Sequence, residues 1–123
     1  MGEEIILKKR ILVIEDDISI KKYLVSLLKD QGYDVYEASD VKEGLSQAER
    51  YRPDLITLDI EMPGDWGPRF YHYLEKDPGL KKIPVIVISG LPGYQCAIMK
   101  ATASLSKPFN RDELLEIIKK TIG

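Results

Sequence analysis

Apolar and polar positions follow two rhythms along this chain. Short, mostly apolar runs recur at Ile11-Leu12-Val13-Ile14, Leu55-Ile56-Thr57-Leu58 and Val85-Ile86-Val87-Ile88. Such runs suit strands covered on both faces, as in a parallel sheet. They predict strands over 10–15, 54–59 and 84–88. A Tyr- and Val-containing stretch predicts another over 33–37, and Ala103 to Ser106 a fifth, weak by propensity. Between them apolar positions recur at helical spacing, so strands and helices alternate, the signature of βαβ units.

The first helical segment, 18–30, spaces Ile20, Leu24, Leu27 and Leu28 on one face and stops at Gly32. The second opens at Asp40 with Glu43 three residues on, a capping-box pattern, and its inner face is expected at Val41, Leu45 and Ala48. The third starts near Gly67-Pro68, with Pro at a tolerated first-turn position, and Phe70, Tyr73 and Leu74 are expected in the core. Leu91-Pro92-Gly93 interrupts regular structure, leaving only Tyr94 to Lys100 for a short fourth helix. The fifth opens at Asn110, with Glu113 three residues later and an apolar stripe of Leu114, Leu115, Ile117, Ile118 and Ile122.

Composition adds bounds. The 123 residues suit one domain, 1–123. The formal net charge of −2 offers no electrostatic footprint for nucleic acid. One cysteine, Cys96, rules out an internal disulfide and reads as a small buried hydrophobe. The basic Lys8-Lys9-Arg10 precedes only four apolar residues, too few for a signal-peptide core or a membrane span. Ile6 occupies the place where a myristoylation signal wants Ser or Thr. A soluble cytoplasmic protein is expected.

The chemistry lies where the strands end. The first runs into Glu15-Asp16-Asp17, the third into Asp59, the fourth into Ser89-Gly90, and the fifth is followed by Lys107-Pro108. In an open α/β sheet, residues past the carboxyl ends of the strands line the ligand crevice. Two carboxylates about 4 Å apart repel by roughly 4 kcal/mol at an effective dielectric near 20. A divalent cation offsets that, and Mg²⁺ binds through one or two carboxylates plus phosphate while keeping waters. Asp16 and Asp59 are the expected direct ligands, with Glu15 acting through water. Asp59 can also serve as a nucleophile that forms an aspartyl-phosphate. Lys107 and the Ser89 hydroxyl would serve the phosphoryl oxygens.

These residues resemble the receiver domain of two-component response regulators, over about residues 8–121. Ile11 to Asp16 look like the family's first strand and acidic pair. Asp59-Ile60-Glu61-Met62-Pro63-Gly64 looks like the phosphoacceptor and its turn, Ser89 like the Ser/Thr switch, and Lys107-Pro108-Phe109 like the family's Lys-Pro-Phe. The resemblance implies a flavodoxin-like, doubly wound, five-stranded parallel sheet in the order 2-1-3-4-5. It implies phosphorylation of Asp59 from a histidine kinase or phosphotransfer protein, with Mg²⁺ held by Asp16, Asp59 and the backbone carbonyl of Glu61. Phosphate on Asp59 would draw Ser89 and Lys107 toward it and bias a two-state element read by an output partner or fused effector. A monomer or weak dimer is expected, rather than an enzyme acting on an external substrate.

Two departures stand out. Ser104 replaces the aromatic usual three positions before the lysine, and Ser89 to Lys107 spans about four residues fewer than usual, roughly one helical turn.

Plainer roles fit some of the remaining residues better. Asp17 fits a helix N-cap better than a metal ligand. His72, between Tyr71 and Tyr73, fits a solvated or half-buried structural histidine better than a phosphotransfer one. Trp66 is expected to shield the loop beside the site. Two rival functions compete with the leading one. A pseudo-receiver, never phosphorylated, is favoured by the missing aromatic and short fourth helix but opposed by the intact acidic set. A Toprim-like Mg²⁺ enzyme would use Glu15 and Asp59-x-Glu61 but leaves Ser89 and Lys107-Pro108 without a task. Haloacid-dehalogenase chemistry fails because Ile18-Ser19 follows Asp17 where an Asp-x-Asp is needed.

Overall fold

A computed structural model describes residues 7–59, 67–90 and 101–123. The order is β1 (Arg10–Ile14), α1 (Ile18–Asp30), β2 (Asp34–Ala38), α2 (Val41–Tyr51), β3 (Leu55–Asp59), α3 (Gly67–Glu75), a 3-10 turn (Leu80–Lys82), β4 (Val85–Ser89), β5 (Ala103–Ser106) and α4 (Arg111–Ile122). Here α4 is the helix that the sequence pattern counts as the fifth. The short fourth helix at Tyr94 to Lys100, with Cys96, falls outside the described residues, as do Glu61 and Trp66.

The strands form one parallel sheet in the order β2-β1-β3-β4-β5. Side chains alternate across each strand, so the sheet separates two apolar layers. Leu12, Ile14, Ile56, Leu58, Val85 and Val87 pack with Val41, Ala48, Phe70 and Leu74 of α2 and α3. Ile11, Val13, Leu55, Ile86 and Ile88 pack with Leu24, Leu28, Leu114 and Ile118 of α1 and α4. Each fully buried Leu or Ile contributes about 1.5–3 kcal/mol relative to exposure.

The helices begin where their caps dictate. Asp17 accepts a hydrogen bond from the Ile20 N–H at 2.9 Å, Asp40 from Glu43 at 2.7 Å and Asn110 from Glu113 at 2.9 Å. After α1, Gly32 takes the left-handed conformation with φ 93° that glycine adopts without steric cost. Tyr33 donates its N–H back to Leu28, so β2 starts one residue later than the pattern predicts. β4 likewise starts after Pro84 and extends to include Ser89.

One core assignment, that of Tyr73, is corrected. Leu45 is half-buried but packs against the core as expected, and Gly44 is buried beside it on α2. A Cβ at Gly44 would come within 2.6 Å of Ile14 Cδ1, so a larger residue there would force the Ile14 side chain to shift. Tyr73 is 39% exposed, while Phe70 and Leu74 are buried. Positions i and i+4 stack on one helix face, and Tyr73 falls on its flank, with the Lys76 ammonium 5.7 Å from its ring centre.

Candidate functional site

Three strand ends bring the chemistry together. β1 closes at Ile14, and Glu15 follows with its N–H donated to Ala38 O at 3.0 Å. That bond holds Glu15 in line with β1, beside Asp59 at the end of β3. Both are buried, at 1% and 2% exposure, while Asp16 stays open to solvent. One carboxylate oxygen from each of Glu15, Asp16 and Asp59 lies within 4.8 Å of the others.

Carboxylate charges at that separation repel by roughly 3.5 kcal/mol at an effective dielectric of about 20. Lys107 answers part of the repulsion. Its Nζ lies 2.9 Å from Glu15 Oε1 and 3.5 Å from Asp59 Oδ2. Burial pulls the Lys107 pKa down, but the Glu15 hydrogen bond and the charges of Asp59 and Glu15 outweigh it and leave the pKa above its ordinary value. Lys107 therefore carries its charge throughout the neutral range. Its backbone N–H donates to Ser89 O at 2.7 Å, and the Lys107-Pro108 peptide is cis.

The other acidic residue has a different task. Asp17 caps α1 and donates its own N–H to Glu15 Oε2 at 3.1 Å. Ser89 is fully buried at the end of β4, in register with Ser106. His72 is exposed on α3, as expected of a solvated histidine. The backbone carbonyl of Glu61, expected as a ligand, lies outside the described residues.

The remaining donors fit a hard cation. All are oxygens, with no thiolate or imidazole among them, a set that selects Mg²⁺, Ca²⁺ or Mn²⁺ over softer metals. The pairing of Lys107 with Glu15, closer than with Asp59, was not foreseen from sequence. Nor was the hollow of about 490 Å³ beside it, lined by Ser19, Ile20, Tyr23, Lys107, Pro108 and Phe109. The rings of Tyr23 and Phe109, both lining it, have centroids 6.1 Å apart, and Tyr23 is 48% exposed. Phe109 of the Lys-Pro-Phe was the available signal, but its partners come from α1, far away in sequence.

The parallel sheet, with three carboxylates and a lysine gathered at the carboxyl ends of its strands, makes this a doubly wound α/β domain with a site suited to a hard cation and a phosphoryl group. Residues 11–119 match the response regulator receiver domain. The chain belongs to this family, and is a receiver domain of two-component signalling. It is 33% identical to Protein Rrf1 of Nitratidesulfovibrio vulgaris, over 93% of this chain and 83% of that one. It is 30% identical to the phosphate regulon transcriptional regulatory protein PhoB of Escherichia coli, over 90% of this chain, but spans only 50% of PhoB. Among solved structures, the response regulator TrrA of Thermotoga maritima, in complex with Mg(2+)-BeF, aligns with a TM-score of 0.84 and 33% identity, covering 93% of this chain and 99% of that one. Among the described residues, no helix is long and apolar enough to cross a membrane.

Proposed function

We propose that this chain is a single phospho-accepting domain, 1–123, in which Asp59 takes a phosphoryl group from the phosphohistidine of a histidine kinase or phosphotransfer protein in the cytoplasm. The observation that carries this reading is the convergence of Glu15, Asp16 and Asp59 within 4.8 Å under a lysine that touches two of them. The Mg(2+)-BeF complex of TrrA supports it by analogy.

Asp16, Asp59 and the Glu61 carbonyl would hold Mg²⁺, with Glu15 contributing through water. When bound, the ion supplies charge neutralisation for the phosphoryl oxygens. The chain's own residues do the rest. An Asp59 oxygen forms the new P–O bond as the P–N bond of the phosphoimidazole breaks. The electron pair returns to the imidazole nitrogen, which takes a proton from solvent. Lys107 moves its ammonium from Asp59 to a phosphoryl oxygen, and Ser89 donates its hydroxyl to another. The domain thus promotes only its own phosphorylation and dephosphorylation.

The donor must reach Asp59, and the apolar hollow beside Lys107 gives its helices a seat. Exposed Tyr23 in that lining suits a partner helix that places its histidine over the site. The phosphorylated state is then read by an output partner or a fused effector.

Incubation with acetyl phosphate and Mg²⁺ tests the assignment. Wild type is expected to take up acid-labile phosphate and Asp59→Ala none. Uptake by Asp59→Ala at the wild-type rate would refute it.

A further inference from the structure

One polar side chain in the apolar layer beneath the site has no partner among the described residues. Thr57 is 1% exposed, and among the described residues its Oγ1 makes no hydrogen bond. It pairs in register with Val13 of β1 and Ile86 of β4. Strand alternation places it on the same face as Leu55 below and Asp59 above. That face is the aliphatic layer of Val13, Leu55, Ile86 and Ile88.

A valine would fill this place with nearly the same shape and no hydroxyl to desolvate. A buried hydroxyl without a partner is destabilising, and such a group in a native structure calls for a role. On this face, polar side chains stand in the row just above, where Glu15 and Asp59 are paired with Lys107. In the present arrangement the lysine engages Asp59, its Nζ 3.5 Å from Asp59 Oδ2.

Residues two apart on one strand lie about 6.6 Å apart at Cα. A threonine and an aspartate side chain together span that gap once the aspartate leans back along the strand. We propose that Thr57 is a positioning residue for Asp59, donating its hydroxyl to the Asp59 side-chain oxygen in the phosphate-loaded state, when Lys107 has turned to the phosphoryl group. The inference rests on the reading of Asp59 as phosphoacceptor. The hydroxyl is then unpaired at rest and satisfied on loading, which shifts the balance toward the loaded state.

The test compares wild type, Thr57→Val and Thr57→Ser. Beryllofluoride with Mg²⁺ serves as the phosphoryl analogue, and both its affinity and the thermal melting of the ligand-free protein are measured. Thr57→Val is expected to melt higher than wild type when free, yet to bind beryllofluoride about three- to tenfold more weakly, the worth of one net hydrogen bond. Thr57→Ser, which keeps the hydroxyl, is expected to bind within about twofold of wild type even though it melts lower for want of the methyl group. Unchanged affinity in Thr57→Val, or equal loss in both variants, would overturn the role of the hydroxyl alone. Failure of wild type to bind beryllofluoride would overturn the phosphoacceptor reading and this inference with it.

Discussion

Replacing Lys107 with methionine isolates what the ammonium does for the resting site. Methionine keeps the length of the stem and removes the charge. Glu15 and Asp59 are then left buried beside each other and beside Asp16, with a pairwise repulsion of roughly 3.5 kcal/mol at an effective dielectric of about 20. The lost ammonium was itself 18% exposed, and removing it returns part of its own desolvation cost. A net loss of about 2 kcal/mol is expected. For a chain of 123 residues that corresponds to a fall in Tm of roughly 6–10 °C. Mg²⁺ neutralises the same carboxylates, so millimolar Mg²⁺ is expected to restore most of the loss, and to stabilise Lys107→Met more than wild type. Differential scanning fluorimetry in EDTA and in excess Mg²⁺ gives all four values. A Tm within 2 °C of wild type in EDTA, or a deficit that Mg²⁺ leaves untouched, would refute the argument that Lys107 offsets carboxylate repulsion.

Other consequences are simpler to read. Asp77 accepts from the Gly79 and Leu80 N–H groups and pairs with Arg52, whose hydrogen bond is the first cause holding its pKa below the ordinary value. A depressed folded-state pKa contributes stability above the unfolded value, near 3.9, and loses it as pH falls through the lowered one. Asp77→Asn is therefore expected to melt below wild type at pH 7, with the gap closing in acid melts below about pH 4. Asn110→Ala removes the cap of α4 and is expected to cost about 1 kcal/mol in urea unfolding. Leu114→Ala, at a fully buried position between α4 and the sheet, is expected to cost about 2–5 kcal/mol by the same assay, with an unchanged m-value.

Much of this architecture was legible in the residues because local signals agreed with one another. Asp17, Asp40 and Asn110 each sit where a cap is needed and each makes its bond. The apolar runs gave β1, β3 and β4 because strands covered on both faces have no polar face to confuse the pattern. Edges were harder. The turn after α1 takes up Tyr33 through a backbone bond, which side-chain pattern cannot reveal. Gly44 reads as a weak helix residue until Ile14 is seen against it. At the site, Glu15, Asp16, Asp59 and Lys107 were found from their strand-end positions, yet the choice of Glu15 as the nearer partner of Lys107 depends on side-chain reach. Thr57 was invisible, because one threonine in a β run is good strand propensity and nothing more.

The 2.7 Å bond between the Lys107 N–H and the Ser89 carbonyl has a mechanical consequence. The hydroxyl and the ammonium that would grasp a phosphoryl group are carried on backbones clamped to each other. Displacing one peptide strains that bond, so a pull on one is passed to the neighbouring chain end without any intervening aromatic ring. Ser104, small and exposed on β5, leaves that main-chain linkage as a ready conduit from the crevice to the margin of the sheet.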